Sequence, residues 1–224
     1  MNKESVTESM RRLSNIVNEA EQVDEGLTRF LLRSINPREF NKLAKNNTIS
    51  TREINQDEEH KIEQVAGPSL RKFSHYLSFA RTKTGNYVRR NYDQTVVAVF
   101  DTEKLKNIRG AKSLGAIDFF RTLKPSPYSN LEPTQRRAEH FEFEDRLLLN
   151  QNSIPNADQY IKEIHIHEDA KEKMDMRMVI KYLKSHNIKG YMHDDRTWKN
   201  LNKSKANEIT LSNIVKVKRF FGIK

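Results

Sequence analysis

The chain alternates short apolar runs with polar segments, and the spacing of the apolar positions predicts which elements they form. Residues 95–100, TVVAVF, are apolar at every position after the first, which predicts a strand buried on both faces at the centre of a sheet. Further strands are predicted at 27–33, 48–54, 76–81, 160–167 and 190–193. Helical segments separate these strands, so the order of elements predicts a mixed α+β fold.

Helix signals are clearest after the first predicted strand. Asn36 has the side chain of an N-cap and Pro37 suits the first turn, so a helix is predicted that turns Phe40 and Leu43 inward and ends at Asn46-Asn47. Residues 102–105 predict a turn or short helix. Longer helices are predicted at 1–25, with a polar surface, and at 168–186.

Breaks in this pattern predict three parts of the chain: an N-terminal helical arm at 1–25, an α+β domain at 26–195 and a basic C-terminal tail at 196–224. The tail is expected to pack on the domain or extend it, with a last strand at 214–221. Residues 106–135 contain glycines, prolines and basic residues, which predict a long irregular excursion. Whether the excursion closes over a ligand stays open.

Composition narrows the chemistry. The 224 residues include 40 Lys and Arg against 30 Asp and Glu, a net charge of +10 that favours an anionic partner such as nucleic acid, a nucleotide or an acidic protein surface. The absence of cysteine excludes disulfides and thiolate nucleophiles. No apolar run reaches the length of a membrane span and the first residues are polar, so a cytoplasmic protein without membrane contact is expected.

Residues 136–167 concentrate carboxylates beside aromatic rings. Strand alternation places Glu142 and Glu144 on one face, next to Phe141 and Phe143, and apolar rings give a protein control over the charge state of an acid. The same residues are also explained as a solvated turn before a strand.

Three other places carry candidate chemistry, and each is also explained as ordinary structure. Arg33, at the end of the first predicted strand, suits a phosphate clamp. Alternation sets Ser78, Ala80 and Thr82 on one strand face, where a flat ring fits over the small Ala80. His165 and His167 share a strand face that suits a metal ion, but no third ligand has a suitable spacing, so no metal site is predicted.

Taken in order, Arg33, Ser78 and Glu144 resemble the Arg–Ser–Glu arrangement of ADP-ribosyltransferases. The segment around Glu144 is similar to that of DarT-like transferases and of predicted phage proteins. The resemblance implies an ADP-ribosyltransferase-like split mixed β-sheet core with peripheral helices. One departure is the Ser-Phe-Ala run that begins at Ser78, where many transferases have Ser-Thr-Ser.

Roles for individual residues follow from the resemblance alone. Glu144 becomes the catalytic acid, and Glu142 orients the nucleophile. The cofactor-binding residues become Arg33, Ser78, Arg81 and Arg29, of which Arg29 and Arg33 compete for contact with NAD.

The implied activity is mono-ADP-ribosylation of a DNA, RNA or host-protein acceptor with NAD as substrate, by a protein that is phage-encoded and works in the host cytoplasm. One alternative is a non-catalytic nucleic-acid or host-factor binding protein that retains this fold. The other is a metal-dependent nuclease that uses His165 and His167.

Overall fold

The computed structural model describes residues 29–56, 59, 62–63, 72–81, 95–114, 144–198 and 201–209. The strands are β1 (Phe30–Ile35), β2 (Thr48–Ser50), β3 (Arg52–Glu53), β4 (His75–Ala80), β5 (Val96–Asp101), β6 (Lys112–Leu114), β7 (Glu144–Leu149), β8 (Ser153–Pro155), β9 (Ile161–His167), β10 (Lys189–His193) and β11 (Asn207–Glu208). The helices are α1 (Pro37–Asn46), α2 (Thr102–Lys106), α3 (Met176–Ser185) and α4 (Asp195–Trp198), with single 3-10 turns at Ala157–Gln159, Glu168–Glu172 and Lys203–Lys205.

Nine strands form one twisted sheet in the order β11-β10-β9-β5-β1-β4-β7-β6, with β3 paired to β4. Neighbouring strands are antiparallel except β9 and β10, which are parallel. Strands β2 and β8 form a separate antiparallel pair. The mixed α+β fold predicted from the sequence is therefore confirmed.

Side chains alternate between two faces of this sheet, which differ in what covers them. The helix face packs against α1 and α3 and holds the main core, including Leu31, Phe79, Phe100 and Ile164. The second face holds a smaller apolar cluster, Leu32, Val97, Val99 and Leu201, beside most of the buried polar groups. The β5 strand is buried on both faces, which confirms its predicted central place.

Local signals placed α1 correctly. The Asn36 side chain accepts a hydrogen bond from the Glu39 amide at 2.8 Å, and Pro37 opens the helix. Asn47 follows the last turn in the left-handed conformation, with φ of 51°. The short helix α2 is likewise where the sequence predicts it, capped by Asp101.

Other boundaries differ from the prediction. The β1 strand continues to Ile35, so Arg33 lies inside the strand and not at its end. The 48–54 stretch divides at Thr51 into β2 and β3, which belong to different sheets. The helix predicted at 168–186 starts only at Met176, because Asp175 caps it.

Part of the predicted excursion is regular, since β6 pairs with β7. The arm at 1–25, residues 115–135 of the excursion and the strand at 214–221 lie outside the described residues. So do Thr82 and Glu142.

Gly190 marks a close approach between β10 and α3. A Cβ atom at this position would lie 2.6 Å from Leu183 Cδ1 and 3.1 Å from Ile209 Cδ1.

We expect Gly190→Ala to lower the free energy of unfolding by about 1–3 kcal/mol through overpacking, as measured by urea denaturation. On a Leu183→Ala background the same change should cost less, and an equal cost on both backgrounds would show that the contact is not the cause.

Candidate functional site

Three neighbouring strands, β1, β4 and β7, carry the residues singled out in the sequence. Leu32 pairs with Ala80, and Ala80 pairs with Glu144. Because the strands are antiparallel, the start of β1, the end of β4 and the start of β7 meet at one edge of the sheet. We call this the three-strand edge, formed by Arg29, Ala80, Arg81, Glu144 and Asp145.

Arg33 lies on the helix face and is 5% exposed. Its Nη2 donates to Glu39 Oε1 at 2.9 Å, and its Nη1 donates to the Ser78 carbonyl at 3.2 Å. The Ser78 side chain belongs to the second face, since Ser78 alternates with Leu77 and Phe79 of the main core. The structure therefore brings Arg33 to the Ser78 backbone but not to the Ser78 hydroxyl.

The contact from Arg33 falls where the sheet is weakly joined. β1 and β4 share one residue pair, Leu32 with Ala80, whereas β4 and β7 share six. The Arg33 side chain therefore adds a hydrogen bond between the two strands beside this single pair. Arg33 thus positions β4 relative to β1.

Arg81 and Asp145 form a buried ion pair at the three-strand edge. Arg81 Nε lies 3.0 Å from Asp145 Oδ1, and the two side chains are 7% and 2% exposed. The pair joins the end of β4 to the second residue of β7. Arg81, predicted to bind the cofactor, thus already has an anionic partner within the protein.

A small pocket opens beside this ion pair. Leu31, Phe79 and Leu147 line it together with Asp145 and Thr102, and its volume is about 10 Å³. That volume suits one water molecule and not a nicotinamide ring. The described residues at this pocket therefore do not by themselves enclose a dinucleotide.

The remaining predicted residues are placed as follows. Glu144 is the first residue of β7 and stands opposite Ala80 in the ladder. Arg29 is exposed, and its guanidinium carbon lies 5.3 Å from the centre of the Phe30 ring. Arg29 is thus the one predicted cofactor-binding arginine that is exposed at the edge.

Arg146 is a candidate residue that the sequence patterns do not single out. It stands opposite Ser78 in the β4–β7 ladder, is 4% exposed, and its guanidinium carbon lies 4.7 Å from the Tyr76 ring centre. Strand alternation was the available signal, because it places Glu144 and Arg146 on one face of β7 and Asp145 on the other. Arg146 is thus a buried cation on the same face as the Ser78 side chain.

A second polar cluster lies across the sheet on β9 and β10. His165 Nδ1 is 2.8 Å from His193 Nε2, and both rings are nearly fully buried. His193 Nδ1 lies 3.2 Å from Thr197 Oγ1, and Thr197 Oγ1 donates to Asp194 Oδ1 at 2.8 Å.

These bonds fix a direction. Since the Thr197 proton points to Asp194, the Thr197 oxygen accepts from His193 Nδ1–H. In that tautomer, Nε2 of His193 is placed to accept from His165 Nδ1–H. The chain therefore runs from His165 through His193 and Thr197 to Asp194.

His167 forms hydrogen bonds outside this hydrogen-bonded chain. Its Nε2 lies 3.1 Å from Asp195 Oδ1, while its Nδ1 accepts from the Asp169 amide at 3.3 Å. Within the described ranges no group of three His, Asp or Glu side chains is placed to hold a metal ion. His165 and His167 do share a face, as alternation predicts, but each bonds to different partners.

Glu163 ends the histidine chain on its other side. It lies 3.9 Å from His165 Nε2, an ion-pair distance, and accepts from Lys203 Nζ at 3.1 and 3.2 Å. Burial would raise the pKa of Glu163, but His165 and Lys203 outweigh burial and lower the pKa to about 2.

Comparisons with protein-family models, with curated proteins and with solved structures give no match to this chain. Among the helices of the described residues, none is long and apolar enough to cross a membrane. Function is therefore inferred from the geometry of the site.

The buried ion pair predicts a stability effect. We expect Asp145→Asn to lower the free energy of unfolding by about 3 kcal/mol, because it leaves the buried Arg81 without a counter-charge. Urea denaturation measures the change. Replacing both partners, with Arg81→Met and Asp145→Leu, should restore much of the loss, and a double variant less stable than Asp145→Asn would contradict this view of the pair.

Glu163 predicts a pH dependence. Its pKa in the folded protein is lower than the ordinary value of 4.5, so its stabilising effect is complete above pH 4.5 and is lost as the pH falls toward 2. We expect Glu163→Gln to remove about 1 kcal/mol of stability at pH 7, after allowance for screening at the half-exposed Lys203. The difference between variant and wild type should vanish near pH 2, and a constant difference from pH 7 to 2 would contradict the assignment.

Proposed function

We propose that the protein is an NAD-dependent mono-ADP-ribosyltransferase whose reaction takes place at the three-strand edge. The observation that carries the proposal is that Arg33, Ser78 and Glu144 fall on three neighbouring strands, β1, β4 and β7. In sequence order the same three residues resemble the Arg–Ser–Glu arrangement of ADP-ribosyltransferases.

Adjacency is informative because these residues are far apart in the chain. Arg33 and Ser78 are separated by 45 positions and still make direct contact. Glu144 enters β7 two residues before Arg146, which stands opposite Ser78. An accidental motif would not favour neighbouring strands over the other positions in a nine-stranded sheet.

The geometry divides the proposed roles. Ser78, Ala80 and Arg146 share the second face and are nearly fully buried, so their proposed role is to support the bound nicotinamide from beneath. Arg33 acts as a positioning residue for β4, because both of its terminal nitrogens donate hydrogen bonds within the protein. Exposed Arg29 is better placed than Arg33 for the pyrophosphate.

In the proposed reaction, the bond between the nicotinamide nitrogen and ribose C1′ breaks, and its electron pair stays with nicotinamide, which leaves neutral. A nucleophile of the acceptor forms the new bond to C1′ and gives up its proton, to Glu142 or to water. The Glu144 carboxylate accepts a hydrogen bond from the ribose and stabilises the positive charge that develops at C1′. No proton donor to the leaving group is required.

The acceptor is proposed to be nucleic acid or a protein, and the net charge of +10 favours an anionic one. A non-catalytic nucleic-acid binding protein is the second candidate, because α1 and α3 carry exposed cations on the helix side of the sheet, among them Lys42 and Lys181. Binding by these side chains would need no chemistry at the three-strand edge. We do not propose the metal-dependent nuclease, because His165 and His167 are engaged in separate hydrogen bonds.

Glu144→Gln tests the proposal. The substitution keeps the shape of the side chain but removes its charge, so we expect release of labelled nicotinamide from NAD to fall by about 100-fold or more. The assay contains purified protein with and without nucleic acid or cell lysate.

Glu53→Gln is the matched control, since Glu53 is exposed on β3 and loses the same charge away from the three-strand edge. It should keep wild-type activity. Wild-type protein that releases no nicotinamide under any of these conditions, or equal activity of Glu144→Gln and wild type, would contradict the proposal.

A further inference from the structure

Helices α1 and α3 form a layer with a charged outer surface. Phe40 and Tyr182 meet edge to face between them, with ring centres 6.4 Å apart. Asn41 accepts from the Asp175 amide at 3.4 Å, and Asn47 accepts from the Tyr182 hydroxyl at 3.0 Å. The earlier residue of α1 thus contacts the start of α3, and the residue that follows α1 contacts the later part of α3. The two helices therefore run side by side in the same direction.

Each helix carries three exposed cations at the same spacing. Arg38, Lys42 and Lys45 occupy positions i, i+4 and i+7 of α1, and Arg177, Lys181 and Lys184 repeat that pattern on α3. This spacing puts three side chains on one side of a helix. The apolar residues of both helices lie in the core, so both rows point away from the sheet.

Within the α1 and α3 segments, cations outnumber carboxylates. The α1 and α3 segments contain one acid, Glu39, which pairs with Arg33 beneath the helix. Like charges three and four residues apart destabilise a helix, and exposed helices usually mix the two signs. The two rows therefore concentrate positive charge on this surface, which points to an anionic partner.

The chemistry of this surface distinguishes between two anionic partners, a lipid membrane and nucleic acid. Helices that bind membranes insert an exposed apolar face between lipids, whereas the apolar faces of α1 and α3 are buried against the sheet. A nucleic-acid backbone requires only a row of cations. Four residues of helix rise about 6 Å, close to two nucleotides at about 3.4 Å each along one strand.

We propose that the outer surface of α1 and α3 binds the phosphodiester backbone of nucleic acid without reading its sequence. We call this surface the basic helix pair: Arg38, Lys42, Lys45, Arg177, Lys181 and Lys184. It lies on the side of the sheet opposite the Ser78 side chain. Binding there does not require NAD, so it stands independently of the proposed transferase activity.

The test compares two triple variants with the same change in charge. Lys42, Lys45 and Lys181 are replaced by Gln in the first. In the control, the exposed Lys104, Arg109 and Lys205 are replaced by Gln away from the helix pair. Fluorescence anisotropy of a labelled 20-base-pair duplex of mixed sequence is measured over a series of salt concentrations, without NAD.

We expect the slope of log Kd against log salt to fall by about 2–3 in the first variant, at about 0.9 for each lost phosphate contact, and to keep its wild-type value in the control. Parallel arms use an RNA duplex of the same sequence and phosphatidylserine vesicles. Loss in either nucleic-acid arm supports the proposal and identifies the nucleic acid.

Three results would overturn it: no binding of either duplex by the wild type, equal losses in both variants, or a loss confined to the vesicles. Circular dichroism of both variants establishes that the helices are retained. Because nicotinamide release is a separate assay, failure here leaves the transferase proposal standing.

Discussion

A buried guanidinium joins the two parts of the central sheet. Strands β1 and β4 meet at a single residue pair, and Arg33 bridges the gap by donating to the Ser78 carbonyl while Glu39 neutralises its charge. Burying a cation costs several kcal/mol unless its partners replace water. Here a carboxylate and a carbonyl do so for the two terminal nitrogens, while Nε has no hydrogen-bond partner among the described residues. Because β4 holds β7 through a full ladder, Arg33 helps to hold both Ser78 and Glu144 beside β1.

Polar groups buried in the sheet are otherwise organised as closed local sets. Arg81 with Asp145 ties β4 to β7, and the chain from His165 to Asp194 ties β9 to β10 and α4. Each set contains its own charge partner or hydrogen-bond acceptor, which keeps the cost of burial small and fixes one strand register. The two sets lie on either side of β1 and β5, so the three-strand edge and the histidine chain are physically separate.

Local sequence patterns were sufficient for elements that depend on neighbours in the chain. The uninterrupted apolar run placed β5 at the centre, and the Asn36–Pro37 pair placed the start of α1. The buried or exposed state of a strand residue was harder to predict, because pairing with neighbouring strands decides it. The β1 strand runs two residues beyond Arg33, so Arg33 lies on the buried helix face and not at a strand end. The contact of Arg146 with Tyr76 and the bond between His165 and His193 join distant segments. Local sequence patterns cannot predict such contacts.

The most direct test of the account is to locate NAD on the folded protein. Amide chemical shifts recorded by NMR with a hydrolysis-resistant NAD analogue report which backbone positions the ligand reaches. The account predicts that the largest shifts fall at the three-strand edge, at Ala80, Arg81 and Glu144, with α1 and α3 unchanged. Absence of shifts at a saturating concentration, or shifts confined to the basic helix pair, would contradict it.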